Sequence, residues 1–341
     1  MILDVIGTSF YESNLNELKN YDLEELYDIA FKNKIGLFFL EKLEENNQIG
    51  NLTSKLEEQR KLKIMQENTW MRTVDALNKA KCEYAIIKSI FPFPAIPNDV
   101  DALILGDDKE YRRAIEFMKK DQFVVLDEAA LEINLRDATT ATTLKVLEKQ
   151  WVDVDLYKEV GASRLIYMDK NKLKNYLETI YLREKKIRVL KPYAEMAMNI
   201  FHAMYPERIY TLMVHYYILH TIFNMTKEDI ENFVIFCKEQ RIENGVRNTL
   251  NVTELVEEEC HGKAPEKLIL LRKKFGSKKS YHIKKLPYVY PLGELIDSLW
   301  GKLRERKFFF STLKQIIVMF NPKTANFVIK VYKERASRDT Y

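Results

Sequence analysis

Apolar residues recur at helical spacing through the first quarter of the chain. Leu23, Leu26, Tyr27, Ala30 and Phe31 share one face, as do Ile35, Phe38, Phe39 and Leu43. The polar run from Asn46 to Gly50 breaks the pattern, and Ser54-Lys55-Leu56-Glu57 reads as a capping box opening a long helix to about residue 81. Leu56, Ile64, Trp70, Val74 and Leu77 form its packing face.

From residue 83 the period shortens. Residues 84–87 are a short apolar run with β-branched members, the pattern of a buried strand. Residues 91–98 predict a loop, because Pro92, Pro94 and Pro97 fix φ and remove backbone donors. A strand over 99–105 and a helix over 109–120 follow, the helix carried by Tyr111, Ile115, Phe117 and Met118. Strands are expected at 123–126, at 152–157, and as a hairpin of 132–135 with 143–147. The pattern predicts an α+β fold: a small mixed-sheet domain at 83–160, between an N-terminal helical region at 1–82 and a helical C-terminal region at 161–341. Within the last region, 170–184 reads as one helix and 187–190 as an extended segment closing the domain. Pro206 divides the apolar run 193–223 into two helices, and Thr226-Lys227-Glu228-Asp229 is a second capping-box pattern. A basic loop at 267–285, a linker-like turn at 287–293 and helices at about 294–319 and 323–335 complete the chain.

Composition changes this picture little. Apolar residues make up 46% and charged residues 30% of 341 positions, with a formal net charge of +4, so a basic balance alone does not argue for nucleic acid. Cys82, Cys237 and Cys260 form no metal-type or disulfide spacing, and the start lacks a basic segment followed by an apolar run. No apolar stretch reaches the length of a membrane span. A cytoplasmic protein without a membrane partner is the expectation.

Chemistry concentrates on two strands. Residues i and i+2 of a strand point to one face, so Asp99 and Asp101 aim together, and so do Asp153 and Asp155 about fifty residues downstream. Aligned carboxylates repel unless a cation neutralises them, and three that converge suit a divalent cation for phosphoryl chemistry. Lys88-Ser89 begins the turn before the first acidic pair.

This order of strand, small-residue turn, Asp-x-Asp strand and later acidic strand resembles the nucleotidyltransferase superfamily related to DNA polymerase β. It is most similar to that superfamily's uncharacterised nucleotidyltransferase-like branch, over about residues 40–225. Lys88-Ser89 resembles the Lys-Gly turn of the branch, Asp99-Val100-Asp101 the Asp-x-Asp, and Asp155-Leu156-Tyr157 the third-acid strand; the segment Ile187-Arg188-Val189-Leu190 to His202 is also similar. The resemblance implies in-line attack by an acceptor hydroxyl on the α-phosphorus of a nucleoside triphosphate such as ATP, with release of pyrophosphate. Asp99 and Asp101 would hold one or two Mg²⁺ (or Mn²⁺) ions, clamped about 3.5–4 Å apart. Asp155 would complete the second site and help deprotonate the acceptor, with Asp153 on the same face as the alternative third acid. Lys88 and Ser89 would hold phosphate oxygens. The sequence departs from the superfamily in having no glycine at this turn, and Pro97-Asn98 stands where the branch places an arginine. The acceptor is left open among RNA, a protein side chain and a small molecule.

The remaining motifs read as structure. His202 lies on an apolar helix and is expected in the core; His215 and His220 are five apart and do not make an i, i+4 zinc pair; His261 and His282 are isolated. No P-loop, dinucleotide fingerprint or nucleophile elbow occurs. Two alternatives to the enzyme remain: a catalytically weakened nucleotide-binding or interaction module of the same fold, and a nucleic-acid-binding protein using the eight Lys and Arg of 267–285 with Phe275 and Tyr281 among them.

Overall fold

A computed structural model describes residues 2–97, 99–139, 152–277, 283, 285–322, 326 and 330. The fold is α+β. The expected strand at 143–147, the helix at 323–335, Trp151, Asn98, Tyr281 and His282 lie wholly or largely outside the described residues.

The N-terminal region is helical, as its periodicity predicts: α1 (Ile2–Ile6), α2 (Leu23–Lys32), α3 (Gly36–Glu45) and the long α4 (Thr53–Lys79). The expected capping box at Ser54 does not form. The preceding 3-10 turn, Gly50–Leu52, runs straight into α4, so Ser54 already lies inside the helix and Leu52 occupies the cap position without a side-chain bond. Seven strands then build one mixed sheet. They are β1 (Tyr84–Ile87), β2 (Asp99–Ile104), β3 (Phe123–Glu128), β4 (Glu132–Asp137), β5 (Asp153–Tyr157), β8 (Leu177–Leu182) and β9 (Lys185–Leu190), in the order β3-β4-β5-β2-β1-β9-β8. β1 pairs antiparallel to β2, β2 parallel to β5, and β5 antiparallel to β4. A separate hairpin, β6 (Val160–Ala162) with β7 (Leu165–Met168), follows β5.

The sheet thus continues well past residue 160. The single helix expected over 170–184 is instead the short α6 (Lys170–Leu173), a 3-10 turn and then β8. Thr179, Ile180 and Tyr181 favour a strand, and pairing with β9 from Leu177↔Leu190 to Leu182↔Lys185 overrides the helical reading. Downstream come α7 (Pro192–His202), α8 (Leu212–Asn224), α9 (Lys227–Gln240), α10 (Glu243–His261), α11 (Glu266–Lys273), α12 (Leu292–Trp300) and α13 (Arg306–Met319). Pro206 does divide the apolar run. It sits in a π-type turn, Ala203–Glu207, and the short strand β10 (Ile209–Tyr210) intervenes before α8. The capping box at Thr226 and Asp229 forms in full. The expected basic loop is helical in its first part, as α11, and the linker-like turn carries β11 (Tyr288–Val289), which pairs with β10.

Strand alternation divides the sheet between two cores. Ile86, Val100, Ala102, Ile104, Val154 and Leu156 pack on one face with Trp70, Val74, Leu77, Tyr111 and Met118 of α4 and α5 (Asp108–Lys120). Ala85, Ile87, Leu103 and Tyr157 face the other way, into a larger core that runs from Ile2 and Leu26 to Phe201, Ile218 and Leu250. Residues 2–56 therefore share their core with the C-terminal helices, whereas the later part of α4 packs on the opposite face of the sheet. Polar contacts pin the same contact: the Met213 N–H donates to the Asn33 carbonyl (3.1 Å) and the Tyr216 hydroxyl to the Gly7 carbonyl (2.7 Å). No helix among the described residues is long and apolar enough to cross a membrane.

Candidate functional site

The acidic residues stand on the sheet face covered by both helical regions. Val100 and Val154 point into the opposite core, so alternation sends Asp99, Asp101, Asp153 and Asp155 to this face. Parallel register places Asp99 opposite Asp153 and Asp101 opposite Asp155. Asp99, Asp101 and Asp155 offer oxygens that all lie within 4.8 Å of one another.

Asp153 is drawn away from this group. Arg136 lies directly across from it on β4 and makes a two-point ion pair, Nε to Oδ1 at 2.8 Å and Nη2 to Oδ2 at 3.0 Å. The next inward position of β4 is Asn134, opposite Asp155, and its amide donates to Asp155 Oδ1 at 2.7 Å. One strand thus treats the two candidate third acids differently: the arginine neutralises Asp153, whereas the amide orients Asp155 without adding a charge. The alternating Glu132-Ile133-Asn134-Leu135-Arg136 was the available signal, but it acquires meaning only once the β4–β5 register is known.

The turn has no glycine, and Lys88 itself takes the left-handed conformation that favours one, with φ of 52°. A lysine in that region is strained, so its surroundings must hold it. Its N–H donates to Glu195 on α7. Its Nζ lies 3.0 Å from Asp101 Oδ1, 3.4 Å from the Tyr157 hydroxyl and 3.5 Å from His202 Nδ1. Ser89 acts inward rather than outward: its hydroxyl donates to the Ile87 carbonyl (2.9 Å) and accepts from the Asp101 N–H (2.9 Å). The turn is therefore bonded to the strand that carries the first acidic pair.

The electrostatics follow from crowding. Burial, then Asp101 and Asp155, push the Asp99 carboxyl well above the usual carboxylate range, against Lys88 and Lys34. Asp155 is pushed up by burial and Asp101, with Asn134 and Lys88 opposing. Burial works against the charge on Lys88, yet Asp101, Tyr167 and Asp99 outweigh it and hold the ammonium above its ordinary value. Three carboxylates and one lysine leave a formal charge of −2 when all are ionised. Hard oxygen donors with that excess suit a divalent cation.

A cavity of about 670 Å³ opens over the cluster. Asp127, Glu132 and Glu207 line it besides the three aspartates, and Lys34 joins Lys88 from the turn between α2 and α3. His202 is not a sealed core histidine. It lines the cavity, where its Nδ1 meets the Tyr167 hydroxyl at 3.2 Å and its Nε2 lies 3.6 Å from Glu207. The π-type turn after α7 brings Glu207 back toward it. Burial, then Lys88, lower its pKa, so the ring is neutral at neutral pH. Lys34 and Glu207 were missed in the sequence because they come from regions distant from the acidic strands. His215 is a core residue, bonded to Tyr210 (2.8 Å) and Glu257 (2.9 Å).

No protein-family model matches the chain, and neither a curated protein nor a solved structure does so.

Proposed function

We propose that the chain is a Mg²⁺-dependent nucleotidyltransferase, moving a nucleotidyl group from a nucleoside triphosphate to an acceptor hydroxyl. The observation that carries this reading is the meeting of Asp99, Asp101 and Asp155 on parallel neighbouring strands beneath a large cavity, beside the turn at Lys88. Asp99, Asp101 and Asp155 would hold the metal. When bound, it would neutralise charge developing on the transferred phosphoryl group. Asn134 orients Asp155, and Ser89 fixes the backbone of Asp101. Lys88 and Lys34 are the cations lining the cavity among the described residues, and they place positive charge beside the acids for phosphate oxygens.

A second reading, a metal-binding module of the same fold with weakened catalysis, is favoured by one observation. The Lys88 ammonium is buried against Asp101 rather than extended toward solvent. The test is incubation with each α-labelled nucleoside triphosphate and Mn²⁺, with pools of RNA, protein and small-molecule acceptors. Transfer that is lost in Asp101→Asn supports the enzyme. Binding of Mn²⁺ and triphosphate without transfer supports the module. Absence of Mn²⁺ binding removes both. The nucleic-acid reading is weakened because Arg272 is buried in an ion pair with Glu254 and Lys267 donates to the carbonyls of Phe223 and Met225.

A further inference from the structure

A second cavity, of about 330 Å³, lies against the same turn and is lined mostly by apolar side chains, among them Ile86, Phe91, Tyr193 and Tyr217. Phe91 lines both cavities. Among the described residues three carboxylates, Glu178, Glu195 and Asp229, line this one together with His220, whose pKa burial lowers, and no lysine or arginine does. Lys191 acts on Glu178 from outside the lining.

Glu195 is the informative residue. It is 7% exposed. Its Oε1 accepts from the Lys88 N–H and, at 3.4 Å, from Asn199, while its Oε2 is buried without a hydrogen-bond partner. An unpartnered buried carboxylate oxygen is costly, and such atoms mark places where a missing donor belongs. Asp229, by contrast, is occupied by the Thr226 cap.

We propose that this cavity is a second ligand site, for a small apolar compound carrying one ammonium group, with the ammonium drawn to Glu195 and the apolar body against Phe91, Tyr193 and Tyr217. A volume of about 330 Å³ lies at the small end of the range of about 300–1,000 Å³ usual for ligand pockets. An apolar wall with few convergent polar groups is the usual make-up of a small-molecule site. The absence of lining lysine and arginine selects a cation over an anion of the same shape. Burial pushes the Glu195 carboxyl up to about 7, against the Lys88 N–H and the Lys88 charge. The inference stands independently of nucleotidyl transfer, because it uses none of the three clustered aspartates.

The experiment is calorimetric titration of the full chain at pH 8 with 2-phenylethylamine, 2-phenylethanol and 3-phenylpropanoate. The amine is expected to bind at least tenfold more tightly than the alcohol, and the carboxylate not at all. Glu195→Gln should bring the amine to the affinity of the alcohol. Should that variant fail to fold, Asn224→Trp, at an exposed helix end on the rim, should block the amine without disturbing the core. Equal affinities for amine and alcohol, amine binding unchanged in Asn224→Trp, or no binding up to about 10 mM would each overturn the proposal.

Discussion

Replacing Lys88 by methionine keeps the shape of the side chain and removes its charge. In the native chain that ammonium sits 3.0 Å from Asp101, with both side chains almost fully buried, at 6% and 5% exposure. Removing one partner of a buried ion pair costs about 3–5 kcal/mol, because the other charge remains without compensation. Here the formal charge of the cluster goes from −2 to −3. With about 2.1 cal/mol/K of unfolding entropy per residue, a 341-residue chain has about 0.7 kcal/mol/K, so the variant should melt roughly 4–7 °C lower. The assay is differential scanning calorimetry of both proteins at neutral pH, with and without Mn²⁺. Any ion that binds only the folded state stabilises it by mass action. Mn²⁺ should therefore raise the melting temperature of both, and raise that of Lys88→Met further. A loss under about 1 kcal/mol would refute the view that Lys88 carries the charge balance of the cluster. Equal melting temperatures with and without Mn²⁺ in both proteins would refute the cation site itself.

Asp155→Ala should weaken Mn²⁺ binding at least tenfold, whereas Asp153→Ala should leave it unchanged, as followed by electron paramagnetic resonance; the reverse order would mean that the Arg136 pair does not hold Asp153 out of the site. For Glu195, burial raises the folded pKa from 4.5 to about 7, so its contribution to stability is complete below pH 4.5 and is lost as pH rises through 7. That shift corresponds to about 3 kcal/mol. Urea unfolding at pH 5 and pH 8 should show a stability difference that shrinks by that order in Glu195→Gln; an unchanged difference would contradict the assignment. Thr226→Ala removes the cap whose hydroxyl accepts from the Asp229 N–H at 3.1 Å and should cost about 1 kcal/mol in the same assay.

Much of the site could be read from the chain because it is written in period-two alternation. Val100 and Val154 announce a buried face, and the aspartates beside them must then point the other way. What alternation does not contain is the identity of the neighbouring strand. Arg136 and Asn134 decide between Asp153 and Asp155 only through the β4–β5 register, which is a tertiary fact. The same limit explains β8: Leu177–Leu182 has helix formers on either side, and its partner β9 decides its state. The turn at Lys88 was legible as a departure from glycine. That a lysine adopts the left-handed conformation there, held by Glu195 more than one hundred residues away, was not. Capping patterns gave mixed guidance. Thr226 caps a helix that begins freely after a turn, whereas Ser54 was overtaken by the 3-10 turn before it.

The parallel pairing of Ile86 with Val189 has a consequence for how the molecule is made. On a ribosome, the strands bearing Asp99, Asp101 and Asp155 emerge long before the helices that will roof them. Until then the carboxylates stay hydrated and their repulsion is screened by solvent. Closing a loop of about one hundred residues to add β9, and then docking α7 and α8, desolvates them. Desolvation of the carboxylates thus falls late in assembly, at the moment when the proposed divalent cation would gain its binding place.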